Sequence, residues 1–522
     1  MMQQKKLAIS VALFSSIITL GGCGGSSGGG GGSSAPQEPA GSLVTATDFM
    51  EPTDYLGASD PRTATDNLWY RDWILPGTVV TIEDANEGIG LMKTGGPSNN
   101  SGTNTCPDWA VARGGQVNGY NVCEIRTDLT SAAQPNAISD GDTLNMTNDT
   151  KWILTTRVEL GNGNAELSSP SDAESLTLDI QEGTEIFGGR NQSWLVVTRG
   201  STILAEGTVT QPITFSSLDG WNDTDATLES QINNDNLDGN GEWGGLVLQG
   251  FGPVNQQSAD NFNVDAEADL GFYGGTDAGD SSGIVKYVRI AEGGFEVATD
   301  EELNGLTVFG GGSGTTIDFV QINNNLDDGI EFFGGTANAR HLVLTDNLDD
   351  SIDFDLGWQG NLQYVLVTRS GISDRGIESD NDGSNFNNTP RTRPTIANIT
   401  IISADGDGLS AKHREGMGGF IHNSLYVHAG GAGNGGCISV NDQDSEINSR
   451  ELTYDSVIVN CTGADIAVTG SDEFADQLVN LNSIVADDPM LNAYFQADEQ
   501  VSGVILNEAT DFAAVQAEVL GE

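Results

Sequence analysis

Three acidic motifs at near-regular intervals hold the residues of this chain whose types and spacing could do chemistry. The sequence NLDDGIEFFGG occupies 325–335, NLDDSIDFDLG occupies 347–357, and a looser version, SDRGIESDNDG, occupies 373–383. Each motif sets carboxylates on both sides of an apolar residue. Oxygen atoms of this kind are the ligands that Ca²⁺ prefers, and it takes six to eight of them. The motifs therefore predict a cation-binding surface assembled from several repeats.

Strand alternation decides which of these residues share a face. In an extended strand, successive side chains point to opposite faces, so the apolar residues of each motif would point inward and the acidic ones outward. Carboxylates stacked about 5 Å apart repel each other by about 1 kcal/mol in water, and a cation would offset that repulsion. A solvated face or a partner contact are the alternatives. The predicted metal ligands are Glu331, Asp353, Asp355, Glu378, Asp380 and Asp382.

The paired aspartates before each strand have a simpler interpretation. Asp327 with Asp328, and Asp349 with Asp350, lie where the repeat would turn. Aspartate favours turns because its carboxylate accepts hydrogen bonds from nearby backbone N–H groups. The sequence therefore favours a structural role for these four residues.

The densest group of basic residues follows the acidic motifs. Arg375, Lys412 and Arg414 belong to it, in a chain that is poor in basic residues. Trp358 is an aromatic side chain that could stack on a sugar ring. These four residues are the predicted ligand-binding group. The alternatives are ion pairs with the neighbouring carboxylates and burial of the indole, which is the commoner fate of a large aromatic residue.

Short β-branched strands separated by Gly, Asn and Asp predict the element type that positions these residues. Apolar pairs recur at a step of 22 residues, as in Val320 with Ile322, Leu342 with Leu344, and Tyr364 with Leu366. A fixed interval of this size indicates a repeat architecture. The leucine ladder of leucine-rich repeats is missing, and a propeller blade needs about 40 residues. We predict an all-β chain whose residues 149–471 form a right-handed parallel β-helix solenoid.

The open ends of a solenoid need covering elements. Residues 41–148 are polar and irregular, and they predict an N-terminal region that includes a cap. Residues 472–522 contain good helix formers interrupted by a DDP sequence, and they predict a partly helical C-terminal cap.

The first 23 residues resemble the signal peptide of bacterial lipoproteins. Two lysines precede an apolar run from Leu7 to Leu20, which is too short to span a membrane comfortably. The run ends in LGGC, which resembles a lipobox, and this implies acylation of Cys23. Gly24, rather than Asp, follows the cysteine, which favours sorting to the outer membrane. The Gly/Ser-rich residues 24–40 predict a flexible tether, and an ordinary secretory signal is the alternative.

Four cysteines remain outside the lipobox, and the exported location is oxidising. Cys106 and Cys123 bracket a short loop and are predicted to pair. Cys437 and Cys461 are about one repeat apart and could pair between neighbouring turns. Two buried free thiols are the open alternative for this second pair.

The charge balance excludes one class of partner. The chain has 21 Lys and Arg residues against 75 Asp and Glu residues, a formal net charge of −54. Such a chain repels phosphates, so nucleic-acid binding is excluded. The GAGNGG sequence at 431–436 opens no helix and predicts no nucleotide site.

Several uncommon strings occur in order over about 150–415, among them GGTANARHLVLTDNLDDSIDFDLGW and TPRTRPT. They resemble a family of right-handed β-helix lipoproteins of Gram-negative bacteria, which is similar in architecture to the pectin-lyase-like superfamily. The resemblance implies the fold and a cell-envelope location, and it implies no defined activity. The stretch TDYLGASDPRTATDNLWYRDW at 53–73 looks like a motif that such proteins often carry near the C-terminus.

We therefore expect a lipid-anchored outer-membrane protein whose acidic face binds cations, Ca²⁺ first among them, and a polysaccharide or envelope protein. A non-enzymatic function is favoured, and the sequence assigns no catalytic residue. Similarity to β-helix polysaccharide lyases implies one alternative, a Ca²⁺-dependent lyase or hydrolase acting on acidic polysaccharide. In such a lyase an Arg or Lys would remove a proton that the metal acidifies. A structural or adhesive surface solenoid is the other alternative.

Overall fold

The computed structural model describes most of the chain between residues 49 and 468. Cys23, the tether, Cys437 and most of the predicted C-terminal cap lie outside the described residues, as does the side chain of Cys461. The described residues are 49–53, 55, 57–60, 63, 67–75, 78–80, 106–189, 192–218, 227, 232, 239–256, 262–297, 302–369, 373–403, 409–431, 438–440, 452–462, 466–468 and 505–506.

Short β-strands make up nearly all of the regular structure, and a 3₁₀ turn covers Pro170–Asp172. No helix among the described residues is long and apolar enough to cross a membrane. In chain order the strands are β1 (Val79–Val80), β2 (Val111–Val117), β3 (Tyr120–Ile125), β4 (Thr143–Met146), β5 (Thr150–Leu154), β6 (Arg157–Leu160), β7 (Thr177–Ile180), β8 (Glu185–Gly188), β9 (Trp194–Val197), β10 (Thr202–Glu206), β11 (Ile213–Ser217), β12 (Gly245–Gln249), β13 (Val264–Asp265), β14 (Phe272–Tyr273) and β15 (Gly283–Ala291). They continue with β16 (Leu306–Phe309), β17 (Thr316–Asn323), β18 (Ile330–Phe333), β19 (Asn338–Thr345), β20 (Asp350–Asp355), β21 (Asn361–Arg369), β22 (Arg375–Ser379), β23 (Thr395–Ser403), β24 (Ala411–His413), β25 (Gly419–Gly431), β26 (Ile438–Val440), β27 (Leu452–Thr462), β28 (Ile466–Val468) and β29 (Ile505–Leu506).

Two long sheets, almost entirely parallel, wind into a right-handed β-helix. The large sheet has fifteen strands and runs from β2 to β27, and the small sheet has ten strands and runs from β6 to β28. Each coil contributes one strand to the small sheet, and that strand pairs in parallel with the strands of the neighbouring coils. The predicted fold class is therefore confirmed. Because strands of neighbouring coils pair in register, equivalent side chains lie above one another about 4.8 Å apart.

The strands of the large sheet bend at one residue per coil. In the earlier coils β10 and β11 are separate strands, and both pair with the single strand β15, which spans the bend. The bend residues of four successive coils adopt positive φ angles and stack their rings with centroids 4.2–5.0 Å apart. These residues are Tyr287, Phe319, His341 and Tyr364. Stacking offsets part of the cost of the left-handed backbone.

The pairing at the bend also corrects one predicted repeat. Val320 pairs with Leu342 as expected, but Leu342 then pairs with Val365 rather than with Tyr364. The coil is one residue longer there, and the extra residue lies in the turn between β20 and β21. Phe333 pairs with Asp355 at a step of 22, whereas Ala339 already pairs with Leu362 at a step of 23.

The interior of the coils is apolar and continuous. Ile330, Ile352 and Ile377 lie at the same position of three coils and are fully buried, as alternation predicts. Phe332 and Phe354 occupy the next inward position of the first two of these coils. Phe332 stacks on the indole of Trp358 at a centroid distance of 4.4 Å. These columns fix which face of each small-sheet strand points outward.

The N-terminal end begins with an antiparallel pair. Strands β2 and β3 form this pair, and Cys106 is disulfide-bonded to Cys123 of β3 as predicted. Parallel pairing starts at β3 and β4, so the coils begin before the predicted boundary at residue 149. The sequence placed the boundary too late because this region has few sustained periodic runs.

The described residues between 49 and 75, here called the N-terminal strap, cross the large sheet instead of covering an end of the solenoid. The Gln363 side chain accepts a hydrogen bond from Glu51 N and donates one to Glu51 O, at 2.8 and 2.7 Å. Thr400 accepts from Ala58 N at 2.8 Å. Trp69 packs edge-on against the His341 ring of the stack. Polar side chains of the sheet thus hold the strap by its backbone.

We predict that Phe332→Ala lowers the free energy of unfolding by about 3–5 kcal/mol, because a fully buried aromatic side chain leaves a cavity that rigid coils cannot close. Denaturant titration of the domain followed by circular dichroism measures the change. Leu326→Ala is the matched control, since Leu326 is 36% exposed on a turn, and its effect should stay within about 0.5 kcal/mol. Equal effects of the two substitutions would contradict the assigned interior.

Candidate functional site

The outer face of the small sheet carries the predicted acidic column. Glu331 pairs with Asp353, and Ile352 pairs with Ile377, which places Glu378 next in the same register. Glu378 in turn pairs with Lys412. The column is therefore acidic over three coils, and the basic residue Lys412 follows at the same position of the next coil.

Two carboxylates of this column converge with one from the preceding turn. Oxygen atoms of Asp328, Glu331 and Asp353 lie within 4.8 Å of one another. Asp328 is buried and accepts a hydrogen bond from Asp350 N at 2.8 Å, and Glu331 accepts one from Asn304 Nδ2 at 2.6 Å. We call these three residues the acidic triplet. Among the described residues no Lys or Arg forms an ion pair with it.

Burial and mutual repulsion act together on the triplet. Burial, and then the charges of Glu267 and Asp353, raise the pKa of Glu331 well above its usual range. Burial, and then Asp380 and Glu378, do the same to the pKa of Asp353, and burial with Asp327 and Asp350 to that of Asp328. Three carboxylates at this spacing cannot all stay ionised without a counter-charge. Either some of them hold protons or a cation binds between them.

The donor set fits a hard divalent cation. All three groups are carboxylates, the ligand type that Ca²⁺ takes, and they come from one turn and two rigid strands. The turn aspartates Asp327, Asp328 and Asp349 also bring oxygens within 4.8 Å of one another, so Asp328 belongs to two such groups. The expectation that the turn aspartates are structural is therefore incomplete. Asp328 supports the turn and also faces the column.

Glu378 and Asp380 are arranged differently, because the predicted basic residues pair with them. Arg375 contacts Glu378, and Lys412 Nζ and Arg414 Nη1 each lie 3.0 Å from Glu378 Oε1. Arg414 Nε also donates to Asp380 Oδ1 at 2.7 Å. Burial raises the pKa of Glu378. A hydrogen bond with Asp350 and the charges of these three cations lower the pKa by more, so the net shift is downward. Ion pairing therefore explains Arg375, Lys412 and Arg414 and removes Glu378 as a metal ligand.

Asp382 is also satisfied by its own loop. Its Oδ1 accepts hydrogen bonds from Ser384 N and Ser384 Oγ at 2.9 and 2.7 Å, and its Oδ2 accepts one from Asn388 Nδ2 at 2.7 Å. Burial opposes these bonds, but they lower the pKa of Asp382. The carboxylate therefore has a structural role in its turn, and its role as a metal ligand stays a prediction.

Trp358 does not offer a face to a ligand. The residue is fully buried, its ring stacks on Phe332, and its indole N–H donates to Ala337 O at 3.0 Å. Its predicted place among ligand-binding residues is wrong, because the coil interior provides both an apolar contact and an acceptor for the indole.

A cleft with a volume of about 380 Å³ adjoins the triplet along the strands. Phe333 and Asp355, each two residues beyond a triplet member, form part of its floor. One wall comes from the hairpin of β13 and β14, and the other from the loop after β22. The acidic residues that line it are Asp265, Glu267, Asp355, Asp380, Asp382 and Glu415, and the aromatic ones are Tyr273, Phe309 and Phe333.

Sequence reasoning missed the hairpin wall. Glu267 and Tyr273 are more than 50 residues away in sequence from the acidic motifs they face, and no repeat marks them. Their position depends on a long excursion between β12 and β15, which is not part of the coil periodicity.

Comparison with known proteins identifies the fold but no ligand. A family model described as a pectate-lyase-like β-helix domain matches residues 164–490. Tailspike protein 2 from an Escherichia coli bacteriophage is a similar solved structure, with 12% identity and a TM-score of 0.21 over 65% of this chain and 48% of that one. This chain thus spans about half of the tailspike's length. Comparison with curated proteins finds no match.

We predict that, without divalent cations, the free energy of unfolding falls as pH rises from about 4, the usual pKa of Asp, to about 8. Burial, and then Asp349, raise the pKa of Asp327 to about 8. A carboxyl whose pKa is raised on folding stabilises the fold when protonated, and that contribution is lost as pH rises through the folded value. Urea titrations in EDTA at a series of pH values measure the slope. In Asp327→Asn the free energy of unfolding should change less with pH toward the upper end of this range. An unchanged slope in this variant would contradict the assignment.

Proposed function

This chain belongs to the pectate-lyase-like β-helix family, and we propose that it is a lipid-anchored cell-envelope protein that binds divalent cations and a glycan on the outer face of its small sheet. The observation that carries the proposal is the acidic triplet of Asp328, Glu331 and Asp353, which converges without a basic partner among the described residues. Glu378, one coil further, has three such partners. The same sheet therefore contains a neutralised carboxylate and a set that needs a cation.

The arrangement supports binding better than lyase chemistry. A lyase base must lose its proton readily, and the candidate bases are held in ion pairs. Burial lowers the pKa of Arg414, but hydrogen bonding and attraction by Asp380 outweigh it and raise the pKa. Burial likewise lowers the pKa of Arg375, but attraction by the charges of Asp350 and Glu378 outweighs it and raises the pKa. Both guanidinium groups are thereby held more firmly in the protonated form.

Glycoside hydrolysis is the second candidate. Asp355 lines the cleft, and burial, followed by the charges of Asp353 and Asp380, raises its pKa well above the usual range. A carboxyl kept protonated in this way can act as a general acid toward a glycosidic oxygen. Release of reducing sugar ends from a polysaccharide panel, lost in Asp355→Asn even at saturating polysaccharide, would establish this function. Silence across the panel with retained binding would leave the binding function.

Calcium ions should stabilise the tether-free domain at neutral pH. At a Ca²⁺ concentration one hundred times the dissociation constant, the gain in free energy of unfolding is about 2.7 kcal/mol. Thermal melting with and without Ca²⁺ measures it, and Asp328→Asn together with Asp353→Asn should abolish the gain. The control is Glu206→Gln, which removes one exposed carboxylate of the large sheet and should retain the stabilisation by Ca²⁺. A gain of equal size in the triplet variant would refute the site.

The membrane anchor gives a separate prediction. We expect the full chain to incorporate a palmitate analogue and to fractionate with outer membranes, because a cysteine after the LGG sequence is the acylation site of the lipobox that this segment resembles. Cys23→Ser should lose both the label and the fractionation. Labelling that persists in this variant would overturn the anchor and leave the cation site unaffected.

A further inference from the structure

The charged residues that line the cleft beside the triplet are all acidic. Six of its lining residues are acidic, and the lining includes no Lys, Arg or His. Of these residues, Asp380 is bound by Arg414 and Asp382 by its own loop. A cleft with low-dielectric walls and one sign of charge concentrates ligands of the opposite sign. An anionic sugar such as a uronate is therefore disfavoured in this cleft.

Two polar groups in the cleft have no hydrogen-bond partner among the described residues. Tyr273 is only 1% exposed, and nothing in the described part of the chain bonds its hydroxyl. Asp355 Oδ1 is likewise buried without a donor. A buried polar atom without a partner costs free energy, so Asp355 Oδ1 favours a ligand that brings a donor, and the Tyr273 hydroxyl can donate to an acceptor on the same ligand. Burial, and then the carboxylates of Asp355 and Glu267, raise the pKa of Tyr273, which keeps the phenol a donor.

The aromatic residues of the lining contact one another, and Gln256, Leu356, Gly383 and Ser384 complete the lining. Tyr273 packs on Phe309 at a centroid distance of 4.8 Å, and Phe309 stacks on Phe333 at 4.4 Å. The three side chains are only 1–6% exposed, so what they offer the cleft is a narrow apolar strip, here called the aromatic wall, which C–H groups of a pyranose ring can contact. The volume of about 380 Å³ falls within the usual range of ligand sites.

We propose that this cleft binds an amino sugar, a pyranose with a free ammonium group within a de-N-acetylated glycan. This inference rests on the proposed glycan-binding function and names its ligand class. The ring lies against the aromatic wall, and a ring hydroxyl accepts the hydrogen bond of Tyr273. The ammonium group donates to Asp355 Oδ1, and its charge stabilises the ionised form of that carboxyl, which gives up its proton to solvent when the sugar binds. A bare metal ion uses none of the aromatic wall, and a linear polyamine leaves the phenol without an acceptor.

The test compares two oligosaccharides that differ in charge. The tether-free domain is titrated calorimetrically in EDTA, in mildly acidic buffer, with the tetramers of glucosamine and of N-acetylglucosamine. We expect the glucosamine tetramer to bind at least about tenfold more tightly, and its affinity to fall as salt is raised. Equal or tighter binding of the N-acetylated tetramer, or of a galacturonate tetramer, would overturn the inference. Spermidine that binds as tightly as the glucosamine tetramer would also overturn it.

Variants locate the binding. Asp355→Asn and Tyr273→Phe should each weaken binding of the glucosamine tetramer about tenfold or more, whereas Glu206→Gln should leave it unchanged. If either variant fails to fold in melting experiments, the comparison of the two tetramers on the unaltered domain still decides. Glucosamine binding that is unaffected in both folded variants would place the ligand elsewhere. Failure here while Ca²⁺ still raises the melting temperature would reject the amino sugar and leave the cation site standing.

Discussion

Register between parallel coils is the constraint on which the rest of this structure depends. Once Ile330, Ile352 and Ile377 stack inside, the side chains beside them must stack outside at the spacing of the strands. The acidic column is therefore not an independent feature. It exists because the interior fixes the register, and burial of the apolar columns compensates the repulsion that the carboxylates create.

The same constraint produces opposite chemistry on neighbouring coils. At one level the column has Glu331 and Asp353, whose charges reinforce each other, and at the next it has Glu378, surrounded by Arg375, Lys412 and Arg414. Three basic residues thus neutralise at one coil a column position that needs a cation at the coils before it. A solenoid can vary its surface in this way without altering its core.

The sequence was sufficient for everything that repeats. The fold class, the inward isoleucines and the outward pairing of Glu331 with Asp353 follow from period-two alternation and a near-constant interval. It was insufficient where contacts do not repeat. Tyr273 and Glu267 reach the cleft through an excursion, the turn between β20 and β21 has one extra residue, and Trp358 turns inward because Ala337 offers an acceptor. The role of Asp382 in its turn was not foreseen, because composition cannot distinguish a carboxylate that organises its own loop from one that is free.

The strap has a mechanical consequence. Any tension that reaches the solenoid through residues before Phe49 is first borne by the contacts of Phe49, Met50 and Glu51 with the large sheet, among them the two hydrogen bonds between Gln363 and the backbone of Glu51. These bonds join the strap to one coil and belong to no ladder between coils. Under load the strap would peel from the sheet contact by contact, and the coils would stay wound. The contacts of the strap would therefore break first and dissipate force before the pairing between coils is disturbed.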